Sequence, residues 1–238
     1  MKHSIKSLLV ALVVSLSLAA PVLAGPYKDG FAAYKRGDYA TALRLWRPLA
    51  EQGHAKAQFS LGFMYDKGRG VPQDDKKAVK LYRFAAEQGH AKAQNSLGFM
   101  YAKGRGVPQE YKKAVKWFRL AAGQGYTKAQ YNLGWMYQEG EGVPQEYKKA
   151  VELFRLAAGQ GHANAQYNLG VMYWKGRGVP QDNVLAHQWL NLAASRWPAK
   201  PFGEREVVVK ARNVVEALMT PAQIAEAKRL AREWKPKK

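Results

Sequence analysis

Four stretches of this 238-residue chain superpose without a gap: HAKAQFSLGFMYDKGRGVPQD from His54, HAKAQNSLGFMYAKGRGVPQE from His90, YTKAQYNLGWMYQEGEGVPQE from Tyr126 and HANAQYNLGVMYWKGRGVPQD from His162. Each begins 36 residues after the one before. A fixed period of about 20–50 residues is the mark of a solenoid. A unit so short cannot bury its own apolar face, so it must stack on the next one.

The inside of one unit reads as two helices. Helix A is expected from Ala55 to Lys67 and at the equivalent places in the other units. Gly68 and Gly70 break it, and Val71-Pro72 forces extended backbone. Gln73-Asp74 opens helix B, with an acid at the positive helix end. Helix B is expected to finish near Gln88-Gly89, where glycine takes a left-handed cap. Four repeats follow: 54–89, 90–125, 126–161 and 162–197. Residues 25–53 read as a degenerate N-terminal capping repeat, with Phe31, Tyr34, Leu45, Trp46 and Leu49 at helical spacing and a tight Gly37-Asp38-Tyr39 turn. Pro48, late in its second helix, predicts a kink or an early end. Residues 198–238 read as a C-terminal helical cap with a basic tail. One helix runs over Glu204 to Leu218, and a second starts at Thr220-Pro221-Ala222-Gln223 with a capping box.

The pattern A-x-A-Q-x-x-L-G-x-M-Y, then G-x-G-V-P-Q, then A-V-x-x-x-x-x-A-A-x-Q-G resembles the Sel-one-like repeat (SLR) family, a relative of the tetratricopeptide repeat. The match covers residues 54–197 in four full units. The resemblance implies an all-α fold: a right-handed superhelical solenoid of antiparallel helix pairs. It also implies an adaptor or scaffold rather than a catalyst.

Residues 1–24 read as a signal peptide. Lys2 and Lys6 precede an apolar run from Leu8 to Ala20, and Val22-Leu23-Ala24 offers small residues for cleavage near Ala24. The run falls short of the roughly 20 residues that span a bilayer, so the mature form is expected to lack an integral membrane segment. This reading places it in the periplasm or outside the cell. There is no cysteine for a disulfide or a lipid. The net charge is +20, of which residues 1–24 contribute only their two lysines. Such an excess favours acidic partners: a protein or peptide segment, or an anionic glycan. In an exported protein it argues against nucleic acid. High charge also keeps a protein monomeric, and a monomer is expected.

Comparing the repeats separates packing from binding. At about 100° per residue, the positions identical in all four units (Ala55, Ala57, Gln58, Leu61, Gly62, Met64 and Tyr65) fill half the helix A wheel. Positions 56, 59, 60, 63 and 66 vary and fill the opposite arc, which is therefore expected to be free. That arc carries Phe59, Phe63, Asn95, Phe99, Tyr131, Trp135, Tyr167, Val171 and Trp174, with Lys56, Lys92 and Lys128 beside them. Large aromatics on a free face suggest a binding surface, and the resemblance puts helix A on the concave side of the superhelix. Arg69, Arg105 and Arg177 add a cationic ladder in the loops. Lys76, Lys77, Lys112, Lys113, Lys148 and Lys149 are read as solvating helix B.

No catalytic frame stands out. His54, His90 and His162 recur once per unit, about 8–10 Å or more apart, too far to share a metal; they read as turn or surface residues. The G-R-G-V-P run lacks the lysine of a phosphate loop. No enzyme activity, cofactor or metal is implied. The expected function is a periplasmic adaptor that mediates protein–protein interaction through the concave groove. The alternative is a binder of an anionic envelope polymer such as peptidoglycan or exopolysaccharide.

Overall fold

A computed structural model describes residues 24–196 and 204–236. The expected signal peptide lies outside these residues save Ala24, as do Lys237 and Lys238 of the tail. The described residues form twelve helices: α1 (Ala24–Lys35), α2 (Tyr39–Glu51), α3 (Ala55–Lys67), α4 (Asp75–Glu87), α5 (Ala91–Lys103), α6 (Tyr111–Gly123), α7 (Thr127–Glu139), α8 (Tyr147–Gly159), α9 (Ala163–Lys175), α10 (Asn183–Arg196), α11 (Glu204–Glu216) and α12 (Pro221–Glu233). Odd numbers up to α9 are the A helices and even numbers up to α10 the B helices. Successive helices from α1 to α11 pack on one another, and α12 packs on α10. The fold is an all-α repeat solenoid.

Local chemistry sets each boundary. Helix A ends at a left-handed glycine, Gly68 with φ 62° in the first full unit, whose N–H donates to Met64 O. Helix B begins where Asp74 accepts from Lys77 N. Pro48 does not end α2, which runs on to Glu51. The proline sits exposed in the last turn, so only one backbone bond is lost there, and its own carbonyl still accepts from Gln52 N.

Two contacts fix the stacking. Within a unit, the helix A glycine lets helix B approach: a Cβ on Gly98 would lie 2.8 Å from Phe118. Between units, the second loop glycine rests on the start of the preceding helix B. A Cβ on Gly142 would lie 2.6 Å from Tyr111 O, a distance open to no other residue type.

The core is built from the repeated positions. Ala57, Leu61 and Met64 are buried, as are Ala93, Leu97 and Met100 one unit on. Gln58 and its copies are buried too, and they join the units by hydrogen bonds. Gln94 Nε2 donates to Ala86 O at 3.0 Å, and its Oε1 accepts from Gln124 Nε2 at 2.8 Å. A second ladder ties α4, α6 and α8 to the next helix A: Arg83 donates to Tyr101 OH, Arg119 to Tyr137 OH and Arg155 to Tyr173 OH, at 3.0, 3.2 and 2.9 Å.

Candidate binding face

The variable arc of helix A is not free along its whole length. Phe99 is exposed, and Phe59, Phe63, Asn95, Tyr131, Trp135, Tyr167, Val171 and Trp174 are half-buried. Ser60 and Asp66, expected on the free arc, are buried. Tyr27 of α1 lies over Ser60, with their hydroxyls 3.3 Å apart. Asp66 accepts from Arg105 Nη2 at 2.8 Å and from Tyr82 OH at 3.3 Å. The covering groups come from other helices and from the loop after α5, which a wheel drawn for one helix cannot register.

The recurring histidines are turn residues with a defined task. Nδ1 of His54, His90 and His162 accepts from the N–H three residues on, at 3.2, 3.2 and 3.3 Å, and so caps helix A. Each ring also stacks on an aromatic of the preceding unit: His54 on Tyr27, His90 on Phe59 and His162 on Tyr131, with centroids 5.3, 4.9 and 4.7 Å apart. Burial holds the imidazoles of His90 and His162 below their ordinary pKa, and nearby lysines add repulsion. Part of the aromatic row therefore packs between units. Sequence reasoning missed this cap because histidine is not among the usual capping residues.

Two clefts gather part of the row, Phe59 and Tyr131 included. The first, of ≈ 290 Å³, is lined by Phe31 and Tyr34 of α1, Trp46 of α2, Phe59 and Phe63 of α3, Lys92 of α5, and Tyr126 and Lys128 at the start of α7. Four successive units contribute to it. The second, of ≈ 140 Å³, brings Phe99 together with Tyr131, Trp135, Lys103 and Glu141. Asn95 accepts from Asn132 Nδ2 at 2.9 Å, which couples α5 to α7 beside these clefts. Lys56, Lys92 and Lys128 are exposed. Neither cleft is lined by Tyr167, Val171 or Trp174.

The loop arginines each have partners within the fold. Arg105 holds Asp66 and Asp75 together, and the hydrogen bonds it donates, to Asp75 first, raise its already high pKa against the opposing effect of burial. Arg69 stacks on the Tyr34 and Phe63 rings, and Arg177 on Tyr147. Of the helix B lysines, Lys77, Lys113 and Lys149 lie over Tyr65, Tyr101 and Tyr137 at 5.4, 5.4 and 5.3 Å. Among the described residues, no group of three His, Cys, Asp or Glu could hold a metal ion, and no helix is long and apolar enough to cross a membrane.

The family model for the Sel1 repeat matches residues 23–54, 55–90, 91–126, 127–162 and 163–196. It therefore also covers the stretch read above as a degenerate unit. Among solved structures, the chain is similar to a Sel1 repeat protein from Oxalobacter formigenes, at 31% identity and TM-score 0.73, covering 90% of this chain and 86% of that one. It is also similar to a protective antigen with an SLR fold from uropathogenic Escherichia coli, at 34% identity and TM-score 0.78, covering 88% of this chain but 44% of that one. Among curated proteins, the exopolysaccharide production negative regulator of Rhizobium leguminosarum bv. viciae is 36% identical over 83 residues, 29% of this chain and 31% of that protein. The match thus spans about a third of that relative's length.

Proposed function

Because the chain belongs to the Sel1 repeat family, we propose that it is a non-enzymatic adaptor that holds an extended, acidic segment of a partner protein along its A-helix face. One observation carries the reading. Side chains from α1, α3, α5 and α7 line one cleft, although α1 and α7 are three units apart in the chain. Odd-numbered helices so far separated meet around one hollow when that side of the solenoid curves inward. The lining suits the ligand: aromatic rings offer flat apolar contact, and Lys92 and Lys128 supply charge for carboxylates. The second cleft continues the track with Phe99, Tyr131 and Trp135. The leader-like residues 1–24 support a site of action in the periplasm or outside the cell.

The test is affinity capture from a cell-envelope extract by the wild-type protein, by the Lys92→Glu, Lys128→Glu double variant and by Phe99→Ala. These three side chains are exposed, so the variants should fold. The reading expects one protein retained by wild type and lost by the variants, with part of the binding persisting at high salt through the rings. A protein retained equally by all three would sink it. The anionic-polymer reading is favoured by the lysines beside the rings. It expects polysaccharide instead, eluted completely by salt.

A further inference from the structure

Three B helices carry a similar row of side chains at i, i+4 and i+8. It is Lys80, Phe84 and Gln88 on α4; Lys116, Leu120 and Gln124 on α6; and Glu152, Leu156 and Gln160 on α8. The middle residue is apolar and exposed each time, at 43, 45 and 55%. The fourth copy of the row is Gln188, Leu192 and Arg196 on α10, and there Leu192 is only 6% exposed.

The difference has a visible cause. Gln188 Nε2 donates to Leu230 O at 3.4 Å. The Arg196 guanidinium lies 4.4 Å from the centre of the Trp234 ring, and Trp189 meets that ring edge-on at 6.4 Å. Leu230 lies in α12 and Trp234 caps its end. Leu192 sits between two residues that touch this helix, so α12 lies along the row. The solenoid thus holds one occupied and three open copies of a helix-docking row.

The open copies continue into a hollow. Beside Phe84 lies a cleft of ≈ 500 Å³ with Leu81 and Tyr65 in its lining, together with Arg47, Lys77 and Lys80 against a single acid, Glu51. Arg83, Arg119, Lys80 and Lys116 are all exposed along the same helices.

We propose that the row through Phe84, Leu120 and Leu156 is a second docking surface. Its occupant is an amphipathic helix of a partner protein, with acidic residues flanking the apolar stripe. The α10–α12 packing supplies the mode of binding, and the basic flanks on α4 and α6 supply the charge, while Glu152 makes the α8 copy the weakest end of the surface. A second copy of this chain fits less well, because it would bring a net charge of +20 against a basic surface and its α12 is already engaged. The inference is independent of the A-helix face.

The probe is a fluorescent peptide of residues 220–235 in which Lys228→Glu, Arg229→Glu and Arg232→Glu turn the flanks acidic while the apolar stripe is kept. Its anisotropy is followed on titration with the full chain. Saturable binding is expected, weakened about tenfold or more by Phe84→Glu or Leu120→Glu and unchanged by Phe99→Ala on the other face. Both substituted positions are exposed, and circular dichroism checks that the variants fold. The proposal is overturned by a peptide that does not bind or that binds the Glu variants as well as wild type. It is also overturned if Leu120→Glu instead abolishes self-association seen in sedimentation, or binding to anionic phospholipid vesicles without affecting the peptide.

Discussion

A Cβ placed on Gly134 would lie 2.8 Å from Cε1 of Phe154, closer than two carbons can sit. The glycine of α7 is therefore the seat for the largest core residue of α8, and the same pairing recurs at Gly98 and Phe118. Glycine inside a helix forgoes about 0.5–1 kcal/mol relative to alanine; overpacking at this contact costs about 1–3 kcal/mol. Gly134→Ala should thus lower stability by about 1 kcal/mol and Gly134→Leu by considerably more. Thermal unfolding by circular dichroism reads both. An unchanged midpoint for Gly134→Leu would mean that α7 and α8 do not meet here.

How much of this was legible in the sequence depends on where a residue's partner comes from. Ala57, Leu61, Gly62 and Met64 were readable because identical units impose identical packing, and they are buried. Gln58 was assigned to the same arc, but its bonds to Ala50 O and Gln88 could not be seen, since both partners lie on other helices. Ser60 and Asp66 misled for the same reason. Each is covered by a group from a neighbouring unit, Tyr27 for the first and Arg105 for the second, and comparing helix A positions with one another does not show what the next unit lays over them. The aromatic row was read as one surface. In the structure Phe59 and Tyr131 both stack on histidine caps and line the clefts, Phe63, Phe99 and Trp135 line the clefts alone, and Tyr167, Val171 and Trp174 stand apart from them.

His90 should make stability depend on pH. Its folded-state pKa is held below the ordinary value, first by burial and then by Lys92 and Lys56. A base with a depressed folded pKa contributes its stabilisation above the unfolded value of about 6.5. That contribution is lost as pH falls through the folded pKa, because the protonated ring can no longer accept from Ala93 N. Asn caps a helix without titrating, so His90→Asn should flatten the fall in stability between neutral and mildly acidic pH. An N-cap is worth about 0.5–2 kcal/mol, and a relative gain near the lower figure is expected at acidic pH. Urea unfolding at both pH values checks it; parallel pH curves for the two proteins would count against the cap.

Arg105 ties the unit of 90–125 to that of 54–89 through ion pairs with Asp66 and Asp75. Its guanidinium meets Asp75 at 2.5 and 3.1 Å and Asp66 at 2.8 Å. Arg105→Ala would leave Asp66, which is 8% exposed, without a cation. Removing one partner of a fully buried pair costs about 3–5 kcal/mol; since Arg105 is partly exposed, about 2 kcal/mol is expected. Adding Asp66→Ala should restore much of that loss, because the equivalent position one unit on is Ala102 and packs without a charge. A double-mutant cycle measures the coupling. Additive losses would mean that Asp66 is stabilised elsewhere.

Trp234 closes the open end of the solenoid. Its ring is sandwiched by contacts to Arg196 and Trp189, so Trp234→Ala should loosen α12 and expose Leu192, giving α10 the surface that Leu156 already shows on α8. Burying a Trp fully is worth about 3–5 kcal/mol on truncation to Ala; this one is half-buried, and about 2 kcal/mol is expected. In a repeat array each unit contacts only its neighbours, so the damage should stay at the end. Hydrogen exchange should quicken in α10 and α12 while α5 and α6, four helices away, keep their protection. Exchange that quickened throughout the chain would show that the solenoid unfolds as one unit and that the cap stabilises all of it.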